Sequence, residues 1–341
     1  MLSYQEDIGV ARREIRQTAQ RMNMGEQAVA ELELIASEMG SNIVNYGTEG
    51  GLLCLEILDG DRPAGIQILA HDRGPGIGDI ELALSDYYSS RGSMGCGLGA
   101  IKRLSDEFDI YSHTGTYNSY IHTNDYRGTI ILSRKWRKKE NKTRSSVDYY
   151  AYSRPLPGFA ANGDAYFVAG NNDRFFLAVL DGLGHGEYAQ AASQAAVAWL
   201  RQHWQSALET SMTELHRALS HTRGAAALLI DLRCAAGELS YLGVGNVEAR
   251  VYRAQERQET ILLSDPGIVG YGRLPTLNIT GMAWHPDSVL VAFTDGIAGR
   301  WNLNHVPAIF TKDPAIIGHL IMQGFAKSQD DSTVVIVKQN P

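Results

Sequence analysis

At 341 residues the chain is long enough for two domains; it is 44% hydrophobic and 20% charged, ordinary for a soluble globular protein, and its formal charge of −7 argues against nucleic acid as a partner away from a local basic patch. Its three cysteines, Cys54, Cys96 and Cys234, are widely spaced without any zinc or redox pattern, and they read as free thiols in a reducing compartment. The charged start MLSYQEDIGVARREIRQ is not a signal peptide, and no apolar run reaches membrane-span length, so a cytoplasmic protein with no membrane partner is expected.

From Ile8 to Met22, residues Ile8, Ala11, Ile15 and Ala19 fall near one face with arginines on the other, which predicts a helix. A second helix is expected from about Gly25 to Tyr46, with Val29, Leu32, Ile35, Ala36, Met39 and Ile43 as its apolar stripe. Glu38 and Asn42 stand four apart on it and project to one side. Such a pair either holds a metal ion and orients a water or hydroxyl, or is a solvated i,i+4 pair. Two strands follow, LLCLEIL and GIQILAHD, around a turn at Asp59-Gly60-Asp61. The second runs into Asp72-Arg73-Gly74-Pro75-Gly76-Ile77. A buried aspartate there can accept from an exocyclic amine such as that of adenine, while Gly74 and Gly76 let a base come close to the backbone. The plain alternative is a hairpin-type loop with an aspartate as turn residue. Gly92, Gly95, Gly97 and Gly99 then open onto a helix from about Ala100 to Glu107, a place where backbone N–H groups can gather around phosphates. No Gly-Lys-Ser/Thr follows, so this is not a Walker loop, and no strand precedes it as a dinucleotide fingerprint requires. Lys102 and Arg103 either assist an anion or lie on the solvent face. Strands near Phe108 to Ser112 and Gly128 to Leu132 complete the domain.

The boxes SEMGSNIVNYG, DRGPGI and YYSSRGSMGCGLGAIKRLSDEF, in that order, resemble the GHKL ATPase superfamily and, within it, the small anti-sigma-factor serine kinases of bacteria. The resemblance covers essentially all of residues 1–133. It implies an α/β sandwich that binds ATP with Mg²⁺. Asn42 would ligate the ion, Glu38 would be the general base, Asp72 would contact adenine beside Gly74 and Gly76, and Gly92 to Gly99 would form the lid. The domain is then either a kinase or a nucleotide-dependent switch.

Arg134 to Arg144 holds seven basic residues against one acidic; taking this +6 from −7 leaves −13 on the remainder. Such a stretch can bind nucleic acid or an anionic membrane, but with a single aromatic and no motif it reads as a solvated linker over 134–147, with docking on an acidic face of either domain as a further alternative. An edge strand is expected from Val147 to Ser153, and Asp164 enters another at Asp164-Ala165-Tyr166-Phe167-Val168. Phe175 to Leu180 reads as a buried strand ending in Asp181-Gly182-Leu183-Gly184-His185-Gly186, then a helix from Glu187 to His203 and another from about Ser206 to Ser220. Strands AAALLIDL, GELSYLGVG and EARVYRA follow, then a Gly-rich loop from Gly267 to Arg273. A strand from Ser288 to Phe293 leads into Thr294-Asp295-Gly296, and a last strand from Thr333 to Val337 follows Asp330-Asp331-Ser332. Each of Asp164, Asp181, Asp295 and Asp330 alone is turn chemistry. Gathered together they would repel one another unless cations lay between them. Two divalent ions would relieve that repulsion, activate water at neutral pH and clamp a phosphoryl group.

The motifs GDAYFV, VLDGLGHG, GVGN, FTDGI and DDSTVVIVK resemble the PPM-type metal-dependent serine/threonine phosphatases of the sporulation and stress-response branch, over nearly all of residues 148–341. The resemblance implies that Asp181 bridges two Mn²⁺ or Mg²⁺ ions, that Gly182 lends its carbonyl to one, that Asp295 and Asp330 bind the other, and that Asp164 stands in or beside the ligand set. Asp331 replaces the asparagine common in eukaryotic relatives, and no arginine matches their phosphate-binding one. His185 either protonates the leaving serine or shapes its loop. The expected fold is α+β, an N-terminal α/β sandwich of GHKL type followed by a ββ-sandwich flanked by helices in αββα order. The expected activity is a protein serine/threonine phosphatase, with a possible serine kinase in its first domain, acting on a phosphorylated STAS-type antagonist in sigma-factor partner switching. The alternative is a non-catalytic nucleotide-binding adaptor of the same pathway. A homodimer is one assembly the sequence allows.

Overall fold

Apolar residues three and four apart build the first two helices, α1 (Gln5–Arg21) and α2 (Glu26–Tyr46), which pack on each other. Strands β1 (Gly51–Leu58) and β2 (Gly65–Asp72), helices α3 (Ile80–Leu84) and α4 (Gly97–Leu104), and strands β3 (Glu107–His113) and β4 (Gly128–Trp136) follow. The computed structural model describes residues 2–59, 64–85, 97–115, 127–137, 146–171 and 174–340, and its contacts divide the chain into two units, Met1–Thr143 and Arg144–Pro341. In the first unit an antiparallel sheet of order β1-β2-β4-β3 carries α2 on one face. Leu32, Ile35, Met39 and Ile43 of α2 share a core with Ile66, Ile68 and Ile131 of the sheet.

Among the boundaries that differ from expectation, two change how the first unit reads. The helix expected from Ala100 to Glu107 runs from Gly97 to Leu104, and Glu107 already opens β3. The basic stretch expected as solvated linker from Arg134 begins inside β4. Arg134 is only 3% exposed, since its guanidinium donates to Gln67 Oε1 (2.8 Å) and meets Glu107 at 3.2 Å. Lys135 is likewise held, by Asp106 at 3.3 Å and by Glu31. Cation partners on β2, β3 and α2 thus continue a strand that composition alone reads as solvent-facing.

The second unit adds β5 (Val147–Arg154), β6 (Asp164–Gly170), β7 (Phe175–Gly182), α5 (Glu187–His203), α6 (Leu208–Ala218), β8 (Ala225–Arg233), β9 (Glu238–Val244) and β10 (Glu248–Arg253). After these come β11 (Gln258–Leu262), β12 (Thr280–Ala283), β13 (Ser288–Phe293), α7 (Pro314–Phe325) and β14 (Ser332–Gln339). Two antiparallel five-stranded sheets form, of order β11-β10-β13-β14-β5 and β12-β9-β8-β7-β6. Strand alternation sorts β7 between two cores. Leu177 and Val179 meet Val251, Leu290 and Val335 of the other sheet, while Phe176, Ala178 and Leu180 meet Leu200, Met212 and Leu215 of α5 and α6. Burial on both faces explains why β7 reads as an unbroken apolar run. Helix α7 covers the other sheet against β14 and β5, completing the αββα layering. Among the described residues no helix is long and apolar enough to cross a membrane, and Cys54 and Cys234 are free thiols.

Candidate functional site

Antiparallel pairing of β6 with β7 sets Asp164 directly opposite Asp181. On the other sheet, β13 pairs with β14 so that Phe293 faces Val334, which brings Asp295, just past β13, close to Asp330, just before β14. Thr294 joins the sheets: its hydroxyl donates to Asp164 Oδ2 (2.6 Å) and accepts from the Thr333 N–H (3.0 Å). Asn246, at the end of GVGN, donates to Asp295 Oδ2 (2.6 Å), and Lys327 donates to the Asp295 carbonyl. Gly182 is buried, its N–H donates to Gly163 O (3.0 Å), and a Cβ there would stand 2.1 Å from Ala189 O of α5, so only glycine lets the helix dock on this strand end.

The electrostatics follow from this crowding. Burial, then the neighbouring carboxylates Asp164, Asp295 and Asp330, push Asp181 up to about 8. Burial pushes Asp164 up to about 7 against the hydrogen bond from Thr294, and burial together with Asp295 raises Asp330. Among the described residues, no three His, Cys, Asp or Glu side chains alone close a metal cage. The donor set nevertheless suits hard cations shared with carbonyls and water: oxygen ligands only, and carboxylates whose charge the protein leaves uncompensated.

Asp331 does different work from its neighbour. It is 3% exposed and accepts from the Leu156 N–H (2.7 Å) and the Gly163 N–H (3.0 Å), fixing the loop that leads to Asp164. Asp331→Ala leaves these donors unpaired and should cost about 2–4 kcal/mol in chemical denaturation, with Asp331→Asn costing less. His185 lies exposed, edge-on to Phe159 at 5.5 Å between ring centroids. Thr294 and Asn246 are the residues sequence reasoning did not single out. A threonine before the aspartate of FTDGI and an asparagine closing GVGN were the available signals.

In the first unit, Asp72 ends β2 at 8% exposure, accepts from the Gly74 N–H (2.7 Å) and is raised by burial. Side chains at Gly74 and Gly76 would meet Tyr46 O at 2.3 Å and His113 O at 2.2 Å, so only glycine lets the backbone pass this close to its neighbours at either position. Glu38 and Asn42 both reach the start of α4: a Cβ at Gly97 would lie 3.4 Å from Glu38 Oε2 and 3.7 Å from Asn42 Oδ1. Gly99 is buried on the same helix, whereas Gly92 and Gly95 lie outside the described residues.

Residues 3–119 match the family described as histidine kinase-like ATPase domain, and residues 171–340 match stage II sporulation protein E (SpoIIE). The serine/threonine-protein kinase RsbT of Bacillus subtilis (strain 168) is 34% identical over 130 residues, 38% of this chain and 89% of RsbT. The chain belongs to the histidine kinase-like ATPase family in its first unit and to the SpoIIE family in its second. The SpoIIE unit is a PPM-type serine/threonine phosphatase domain. The phosphoserine phosphatase RsbX of the same organism is 28% identical over 101 residues, 30% of this chain and about half, 51%, of RsbX. A solved structure from work on the bacterial stressosome is 28% identical, with a TM-score of 0.53 over 56% of this chain and 99% of that one. RsbX crystallised with magnesium, at 20% identity and a TM-score of 0.50 over 58% of this chain and 98% of that one, shares the fold of the SpoIIE unit.

Proposed function

We propose that this chain is a divalent-cation-dependent protein phosphatase that removes phosphate from serine or threonine on a STAS-type antagonist protein, and that its ATPase domain phosphorylates the same kind of protein. The observation that carries the reading is the Asp164–Asp181 pair in register on β6 and β7, raised in pKa, with Asp295 and Asp330 beside it. RsbT, by name a serine/threonine-protein kinase, and RsbX, by name a phosphoserine phosphatase, support opposed activities in one chain.

Asp181, Asp164, Asp295, Asp330 and the Gly182 carbonyl would hold two Mn²⁺ or Mg²⁺ ions. Bound there, the ions supply Lewis acidity toward the phosphoryl oxygens and toward water. Asp181 and Asp164 orient that chemistry from two adjacent strands, so their spacing is set by the ladder rather than by loops. Thr294 holds the Asp164 carboxylate in one rotamer, and Asn246 does the same for Asp295. The test is hydrolysis of a phosphorylated STAS protein by the purified chain with Mn²⁺, and absence of release would refute the reading.

Metal linkage gives a second check. Asp164 and Asp181 have folded pKa values near 7 and 8, above the ordinary carboxylate value of 3.8. In the cation-free protein their contribution is therefore fully present below about pH 4 and is lost as pH rises through 7 to 8. Mn²⁺ should raise the melting temperature by several degrees at pH 8, and by less at pH 5.5, where protons compete for the same carboxylates. An equal increment at both values would contradict the assignment.

A further inference from the structure

The loop that leaves Asp181 is tied to a neighbouring segment that carries a cation. The Leu183 N–H donates to Gly224 O (3.0 Å), joining the loop to the turn between α6 and β8. That turn is fixed in its own right: the Thr222 N–H and hydroxyl reach Leu219 O at 2.9 Å and 2.7 Å, and the Gly224 N–H donates to Thr222 Oγ1 (3.0 Å). Ala225 and Val269 then exchange backbone hydrogen bonds of 2.9 Å and 2.8 Å. Between these anchors stands Arg223, exposed, with its Cζ 4.7 Å from the centroid of the Tyr188 ring. A Cβ at Gly184 would come within 3.3 Å of Arg223 Nη1, so the guanidinium lies along the Asp181–Gly186 loop. Ala226, three residues further on, stands opposite Asp181 in the β7–β8 ladder.

Among the described residues Arg223 pairs with no carboxylate, although four surround the neighbouring strand ends. Stacking on Tyr188 limits the side chain's freedom and leaves its fork of N–H donors uncommitted. A guanidinium held this way is preorganised for a planar or tetrahedral oxyanion, and a phosphoryl group approaching the carboxylate centre is such a group.

We infer that Arg223 grips the phosphoryl group of the substrate, with Tyr188 as the residue that positions it. This rests on the phosphatase reading. Arg223 makes and breaks no bond: it donates paired hydrogen bonds to phosphoryl oxygens and so acts on substrate and product phosphate alike.

The experiment uses the full chain with Mn²⁺, steady-state hydrolysis of a phosphoserine peptide, and inhibition by inorganic phosphate. Arg223→Ala should raise both KM and the phosphate inhibition constant roughly 10- to 100-fold, the scale of one or two charge-assisted hydrogen bonds, with kcat changing less. Arg223→Lys should recover part of the loss, and Tyr188→Ala should give a smaller rise in the same two constants. Both side chains are exposed, so the melting temperature should not move. An active wild type whose KM and phosphate inhibition are unchanged in Arg223→Ala overturns the inference alone. A wild type without Mn²⁺-dependent hydrolysis overturns the phosphatase reading and this inference with it.

Discussion

Asp181→Asn should lower Mn²⁺-dependent release of phosphate from a phosphoserine protein by about a thousandfold or more, the scale of losing several kcal/mol of transition-state stabilisation. Asp181 is the strand end that faces Asp164 across the β6–β7 ladder and feels Asp295 and Asp330 from the other sheet, so it stands between the two sheets' carboxylates. Asparagine keeps the shape and one oxygen but removes the charge that two cations would share. The substitution separates chemistry from folding. A carboxyl already pushed up to about 8 by burial and like charges gains little from ionising at neutral pH, so the neutral amide should leave the cation-free melting temperature unchanged or raise it. Full activity in a folded Asp181→Asn protein would remove Asp181 from the centre. A collapsed melting temperature would show that the carboxylate serves the fold instead.

What the sequence revealed, and what it hid, divides along burial. Helix α5 and strand β13 have the expected limits because each has clear ends: Gly186 before Glu187, and polar residues on both sides of SVLVAF. Helix α7 gave no periodic signal. PAIIGHLIMQGF is apolar almost all round, and Pro314 through Met322 are buried, so no amphipathic stripe exists to read. Edge strands β11 and β12 are short and half exposed, which weakens alternation. Arg134 misled for the opposite reason, since a charge buried by Gln67 and Glu107 has no local signature. At the centre, carboxylates at strand ends were legible because glycine follows Asp181 and Asp295 directly. The roles of Thr294, Asn246 and Asp331 were not, because each depends on a partner between 49 and 175 residues away in sequence.

In the Asp181→Asn background, where transferred phosphate is not removed, labelled ATP should mark an unphosphorylated STAS protein, and Glu38→Gln should slow that transfer by about 10²- to 10⁴-fold, the usual worth of a general base. Glu38 and Asn42 share one side of α2, and both oxygens come within 4 Å of the position a Cβ would take at Gly97, where α4 begins. The carboxylate thus stands at the start of α4, and it is not consumed by a salt bridge among the described residues. Glutamine preserves size and hydrogen bonding but cannot take a proton from a serine hydroxyl. ATP affinity should therefore survive Glu38→Gln while transfer fails, whereas Asn42→Ala should weaken binding of Mg-ATP itself. Asp72→Asn separates the functions further, since Asp72 ends β2 away from the Glu38–Asn42 pair in sequence and its carboxyl is already raised by burial; the change should reduce discrimination between ATP and GTP more than it reduces the rate of transfer. Binding of ATP without any transfer in the Asp181→Asn protein would instead identify the ATPase domain as a nucleotide-dependent regulator. Phosphatase activity in the wild type should then change with ATP concentration, a dependence that a kinase acting independently of the SpoIIE domain would not produce.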